Sequence, residues 1–156
     1  MKLSLVHSSD PILRQVAEPV QLADNIGELV KAMYLLMITG NRFGIGLAAP
    51  QVGISKRLIV VHVEAAKFCV VNPVITRRWG GKIPWTEGCL SFPGLKTKTM
   101  RDRFITVEGL NENFKPMKRK CSGLVSACVQ HEIDHLDGIT INEQQNAPRP
   151  PSGVHG

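Results

Sequence analysis

A chain of 156 residues is about the size of one domain, and 43% hydrophobic with 21% charged residues excludes a disordered or fibrous polymer. No apolar run approaches the ~20 residues that cross a bilayer, and MKLSLVHSSDPILR has neither a signal-peptide core nor a transit-peptide pattern, so a soluble, cytoplasmic, monomeric protein without membrane contact is expected. The formal net charge of +6 includes basic clusters at Arg77-Arg78 and Lys115–Lys120. These read as a solvated face because no aromatic residues are interleaved with them, and a weak contact with an acidic partner such as RNA or the ribosome surface would also suit them.

In chain order, Asp10-Pro11 has the form of an N-cap followed by a first-turn proline, which predicts a short helix through about Ala17. From about Asn25 to Thr39, Ile26, Leu29, Val30, Met33, Leu36 and Met37 recur at helical spacing, with Gly40 as the stop. From Arg57 the texture turns β-branched, in Leu58-Ile59-Val60-Val61, Val70-Val71 and Ile105-Thr106-Val107. Pro, Gly and Asn punctuate these runs, so several short strands joined by turns are expected. Ser122 is placed to cap a helix from Gly123 to about Asp137, with Gly138 ending it. Residues 144–156 are rich in Pro, Gly and Asn and read as a flexible tail behind one domain of residues 1–143. Helices, then strands, then a long helix make the fold class α+β rather than a wound parallel sheet.

The strongest chemical signal is His131-Glu132-Ile133-Asp134-His135 in the last helix. Histidines four apart lie one turn above each other and can face one ion, and Glu132 beside them can carry a proton. Ile133 and Asp134 fall on other faces. A tetrahedral site needs at least one more protein ligand. Glu143 is too near in sequence to come from a second helix, and a third histidine six residues after His135 is excluded by Ile141, so both common metalloprotease patterns are disfavoured. The ligand must come from upstream, and a thiolate is the best donor available. Without a secretion signal, Cys69, Cys89, Cys121 and Cys128 read as thiols rather than disulfides. Cys69 and Cys121 lie in or beside apolar segments, and Cys128 fits a small buried thiol under the helix. Cys89 sits in Thr86-Glu87-Gly88-Cys89-Leu90-Ser91, where a thiolate and free backbone amides can lie side by side.

Three strings together resemble the motifs of the peptide deformylase family, in order and at similar spacing. They are Gly44-Ile45-Gly46-Leu47-Ala48-Ala49-Pro50-Gln51, Glu87-Gly88-Cys89-Leu90-Ser91 and Gln130-His131-Glu132-Ile133-Asp134-His135-Leu136. The first lacks the GK[ST] ending of a P-loop and the later glycine of a dinucleotide fingerprint. The likeness covers about residues 7–142. It implies short antiparallel or mixed strands packed around a central C-terminal metal-binding helix. It implies that Cys89, His131 and His135 ligate one divalent ion, Fe²⁺ by family precedent, with Zn²⁺, Ni²⁺ or Co²⁺ as alternative occupants. Glu132 would act as general base and then acid, and the Gln51 amide and Leu90 N–H would stabilise the oxyanion. The substrate would be the N-formylmethionyl end of a nascent peptide, bound along Gly44, Ile45, Gly46, Glu87 and Gly88. Its Met side chain would lie among Phe43, Ile45, Trp85, Leu124, Ala127 and Cys128. Lys96 departs from the arginine that many bacterial members carry there. Many members continue into a further long helix that docks on the ribosome. Here Pro148, Pro150 and Pro151 cannot continue one, and this short form resembles bacteriophage-encoded members. The rival readings are a metallopeptidase, a metal-free thiol amidase using Cys89, and a zinc-stabilised binding module.

Overall fold

The structure, a computed structural model, describes residues 1–39 and 45–141. The helix expected from Asp10 to Ala17 is a single 3-10 turn, Pro11–Arg14. Asp10 does cap it, its Oδ1 accepting from the Ile12 N–H at 3.0 Å. The chain then leaves the turn because Ala17 N–H donates to the Leu136 carbonyl at 2.8 Å and Glu18 N–H to the Ser55 carbonyl at 3.1 Å. Pro19 further disfavours helical backbone at Glu18. Helix α1 spans Gly27–Thr39, close to its expected limits; the expected stop at Gly40 lies outside the described residues, as does the expected tail.

Five strands follow in an antiparallel sheet whose order is the order of the chain: β1 (Gly46–Ala48), β2 (Leu58–Val63), β3 (Ala66–Cys89), β4 (Phe92–Leu110) and β5 (Pro116–Ser122). The β-branched runs lie where expected, but two of the strands are not short: β3 has 24 residues and β4 has 19. The reason is that Gly80-Gly81, one of the glycine punctuations expected to separate short strands, adopts φ of +82° and +74° inside a bulge between Trp79 and Lys82, so the ladder continues past it. Pro84 lies in the far part of β3, opposite Met100 of β4, where a missing N–H costs little.

Alternation along β2 builds the core on both faces. Ile59, Val61 and Val63 join one apolar cluster, and Leu58 and Val60 join the other. The first cluster packs on helix α2 (Gly123–Leu136), the second on α1. Each fully buried aliphatic side chain contributes ~1.5–3 kcal/mol relative to exposure. Every residue of α2 from Ser126 to Leu136 is buried, so this is a central helix, enclosed on all sides. Ser122 stands at its N-cap position but makes no capping bond through its side chain. Instead β4 fixes the helix: Ser126 Oγ and Gln130 Nε2 donate to the Asp102 carbonyl, both at 2.9 Å, and Asp102 N–H donates to Gln130 Oε1 at 2.9 Å. At the other end the fully buried Arg57 donates to the Leu136 carbonyl at 2.9 Å and to Asp137 Oδ1 at 2.8 Å. This cation satisfies one of the carbonyls that a helix C-terminus leaves without an intrahelical partner.

Candidate functional site

The third metal ligand depends on where one hairpin ends. Strands β3 and β4 meet at the two-residue turn Leu90-Ser91, with Cys89 paired opposite Phe92, so the thiol sits at the tip of a long ladder. That tip lies over α2: Cys89 Sγ is 3.2 Å from His135 Nε2. The ligand atoms of Cys89, His131 and His135 all lie within 4.8 Å of one another. A tetrahedral ion bound by one sulfur at ~2.3 Å and two imidazoles at ~2.0–2.1 Å needs its ligand atoms roughly 3.5 Å apart, so this donor set fits one transition-metal ion with small adjustments. Cys128, although three residues before His131, is not among these donors; its buried Sγ donates to the Ile45 carbonyl at 3.5 Å.

The histidine orientation is built from below. His131 Nδ1 lies 3.0 Å from Glu87 Oε1, which leaves Nε2 for the ion, the usual way a carboxylate fixes a metal-binding imidazole. Glu87 is itself clamped by Arg101, whose Nε and a terminal nitrogen donate to its two oxygens at 2.7 and 2.6 Å. Arg101 also donates to Asp134 Oδ2 at 2.6 Å, and Thr99 Oγ1 donates to Glu87 Oε2 at 2.8 Å. Arg101 is fully buried, so all of its charge is spent inside this cluster. Burial pulls Glu87 upward, but Arg101 and His131 outweigh it and hold the carboxyl at about 2. Burial opposes a charge on His131; the Glu132 carboxylate and the bonds to Cys89 and Glu87 override it and raise its affinity for a proton. Burial and the neighbouring His131 instead hold His135 well below the ordinary range. The carboxylates around His131 thus favour positive charge at that imidazole, while burial keeps His135 neutral.

Glu132 is the uncommitted acid. Its Oε1 is buried without a hydrogen-bond partner among the described residues, and burial pushes its carboxyl up to about 7, with His131 pulling against that rise. Gly46 makes room for it: a Cβ there would stand 2.6 Å from both Glu132 Oε2 and Cys128 Sγ. Gln51, in the 3-10 turn Ala49–Val52, accepts from Ala48 N–H at 2.9 Å through Oε1. That anchor aims its Nε2 at Ser91 Oγ, 3.1 Å away, and at Cys89 Sγ, 3.6 Å away. A cavity of about 420 Å³ opens beside these groups, lined by Gln51, Leu90, Glu132 and the expected Ile45, Gly46, Trp85, Glu87, Gly88, Leu124, Ala127 and Cys128. Lys96 borders it as well. Phe43 and Gly44, also expected here, lie outside the described residues. Glu87 borders the cavity, yet its carboxylate faces Arg101, Thr99 and His131 rather than open space. Thr99, Arg101, Asp134 and Ser91 were not legible as site residues. Glu87, Thr99 and Arg101 share a face only through the β3–β4 register, and no local spacing announces it.

The sequence model described as Polypeptide deformylase matches residues 2–150. The chain belongs to that family. The peptide deformylase of Hydrogenovibrio crunogenus is 41% identical over 141 residues, covering 88% of this chain and 82% of that one. That of Carboxydothermus hydrogenoformans is 40% identical, covering 90% and 91%. Among solved structures, the PDF of the Vibrio parahaemolyticus bacteriophage VP16T, in complex with actinonin, superposes with a TM-score of 0.83 at 40% identity. It covers 90% of this chain and 100% of that one. The peptide deformylase of Thermotoga maritima gives 0.87 at 34% identity, covering 92% and 97%. Peptide deformylases are metallohydrolases that remove the N-formyl group from newly made polypeptides, and the Cys89, His131 and His135 cluster is where this chain can hold the family's divalent metal. Among the described residues no helix is long and apolar enough to cross a membrane.

Proposed function

We propose that Cys89, His131 and His135 hold one ferrous ion, with Zn²⁺, Ni²⁺ or Co²⁺ able to replace it, and that the cavity beside them takes the formylmethionyl end of a nascent peptide. The convergence of the Cys89 sulfur at the end of β3 and the two imidazoles of α2, beside an uncommitted, buried Glu132, carries this reading. When bound, the ion would act as a Lewis acid that brings the pKa of water from ~15.7 toward ~7. Glu132 accepts a proton from the attacking water and returns it to the departing amine, so the C–N bond breaks to give formate and a free Met N-terminus. Gln51 Nε2 and the Leu90 N–H donate to the oxygen of the formyl carbonyl as it gains charge; losing one such donor typically costs ~10²–10³ in rate. The peptide runs along Ile45 and Gly46 as an added strand, with its Met side chain among Trp85, Leu124, Ala127 and Cys128. We place the catalytic domain in residues 1–143 of a cytoplasmic monomer, with residues 144–156 dispensable for turnover, and give the basic surface a weak contact with the ribosome.

The decisive test measures formate release from formyl-Met-Ala with metal bound, after chelation, and after metal return. Release that stops and recovers supports this reading. Release indifferent to chelation would favour a Cys89 thiol amidase, and cleavage of internal peptide bonds would favour a metallopeptidase.

A further inference from the structure

The basic residues of this chain are not spread evenly. Residues 66–122, which make up β3 to β5 and their turns, hold twelve of the nineteen Lys and Arg but four of the thirteen Asp and Glu. Three of those four acids are engaged elsewhere: Glu87 with Arg101, Asp102 with Arg78, and Glu112 as acceptor for the Cys69 thiol. The register then gathers the cations. Arg77 stands opposite Thr106 and Thr106 opposite Lys120, while Glu108 stands opposite Lys118. Ile105 and Cys121, one position away, point into the core cluster that contains α2 residues, so this row points to the other face of the sheet. Thr76, Arg77, Thr106, Glu108, Lys118 and Lys120 line a shallow depression of about 390 Å³ there.

Aromatic residues do accompany this cluster, contrary to the sequence reading. The Arg77 guanidinium lies 4.4 Å from the centroid of the Trp79 ring, and Trp79 stacks on Phe104 at 5.6 Å and 24°. Gly80 permits this arrangement, since at its φ of +82° a Cβ would stand 2.5 Å from the Phe104 ring. Stacking holds the guanidinium plane without neutralising it and leaves its edge N–H groups free to fork onto a phosphate. Adjacent strands lie ~4.8 Å apart, so Arg77 and Lys120 flank Thr106 at roughly 10 Å, room for neighbouring phosphates of one strand. A lipid surface would call for apolar side chains projecting beside the cations, whereas Trp79 and Phe104 are half-buried in their own stack and Met100 is the one large apolar residue exposed on β4. The most exposed ones, Met1, Val16, Leu22, Leu35 and Ile38, lie in the N-terminal segment and on α1.

We propose that this outer face of β3–β4–β5 binds the phosphate backbone of RNA through Arg77, Lys118 and Lys120, with Trp79 and Phe104 holding Arg77 in place. This deepens the ribosome contact proposed above by naming its surface and its chemistry, and it does not depend on the deformylation reading. The test uses the full metal-loaded chain and a fluorescein-labelled single-stranded RNA of about 20 nucleotides, read by polarisation. Three phosphate contacts predict that log affinity falls with log salt at a slope of about −2, roughly a twenty-fold loss between 50 and 200 mM. Replacing Arg77, Lys118 and Lys120 together with alanine should weaken binding at least about ten-fold while formate release from formyl-Met-Ala stays unchanged, which also reports that the variant is folded. Trp79→Leu, which keeps every charge, should weaken it several-fold. A control variant with Lys2, Arg14 and Lys31 replaced by alanine removes the same charge elsewhere and should bind normally. The proposal is overturned if the wild-type chain does not bind RNA, if the control loses as much as the triple variant, or if phosphatidylserine vesicles bind equally well and lose binding in the same variant. RNA binding without co-sedimentation with ribosomes would keep this surface and remove the ribosome contact.

Discussion

Replacing Arg101 with methionine tests how the site is held, because the guanidinium is fully buried and serves two carboxylates at once. It donates twice to Glu87 and once to Asp134, at 2.6–2.7 Å, and those side chains are only 11% and 5% exposed. Methionine fills much of the same volume but takes away the guanidinium that both buried acids share, leaving Glu87 to His131 and Thr99. Stranding one partner of a buried ion pair costs ~3–5 kcal/mol, so Arg101→Met should cost at least about 4 kcal/mol. That is a large share of a domain's ~5–15 kcal/mol. With a urea slope of ~2 kcal/mol/M, the unfolding midpoint should fall by about 2 M. Because Glu87 would no longer be pinned beneath His131, metal affinity should also drop ~10–100-fold. The assay is urea unfolding followed by circular dichroism, with metal bound and with excess chelator, alongside competition for metal against a chromophoric chelator. Adding Glu87→Gln and Asp134→Asn to Arg101→Met should restore part of the stability by removing the stranded charges. If Arg101→Met shifts the midpoint by less than ~0.5 M, or if the triple variant is no more stable than the single, charge compensation is not what holds this cluster.

Glu132→Ala should keep one metal per chain and lose at least ~10²-fold in formate release, since the side chain lies beside the ligands without being one; near-normal turnover with full metal would refute its role. Gly46→Ala places a Cβ 2.6 Å from Glu132 Oε2 and Cys128 Sγ, and should cost ~1–3 kcal/mol together with most of the turnover, read by urea midpoint and formate release. Burial pushes Cys69 up to about 12 and Cys121 up to about 11, so both stay protonated and unreactive at neutral pH. Mass spectrometry after iodoacetamide treatment of the native protein at pH 7.5 should find both unmodified, with reactivity appearing only as pH rises toward those values or on unfolding.

What could be read from the residues alone follows the range of the interactions involved. The α2 part of the candidate site was legible because both histidines and Glu132 belong to one helical turn, and strand β2 was legible because its β-branched run is local, although its two core faces were not read. Cys89 was chosen among four thiols by the company it keeps in its motif, not by spacing. The Asp10 cap was correctly placed, but the length of its helix was not, because the hydrogen bonds that end it come from Leu136 and Ser55. The length of β3 was hidden by Gly80-Gly81 and Pro84, which signal turns unless a bulge and an edge position absorb them. Arg101, Thr99 and Asp134 were missed for the same reason: only the β3–β4 register and the packing of α2 bring them under Glu87. The stack of Arg77 on Trp79 required the bulge as well as the two-residue spacing.

The central claim is that turnover depends on one ion held by Cys89 with the two histidines of α2, and a metal titration of stripped protein read by formate release tests it most directly. Formate release should rise in proportion to added Fe²⁺, held under anaerobic conditions, and level off at one ion per chain. Cys89→Ser should show no such break, because a hydroxyl is a poor ligand for this ion. Stripped protein that already deformylates at the loaded rate, or a Cys89→Ser variant that titrates like the wild type, would contradict the account.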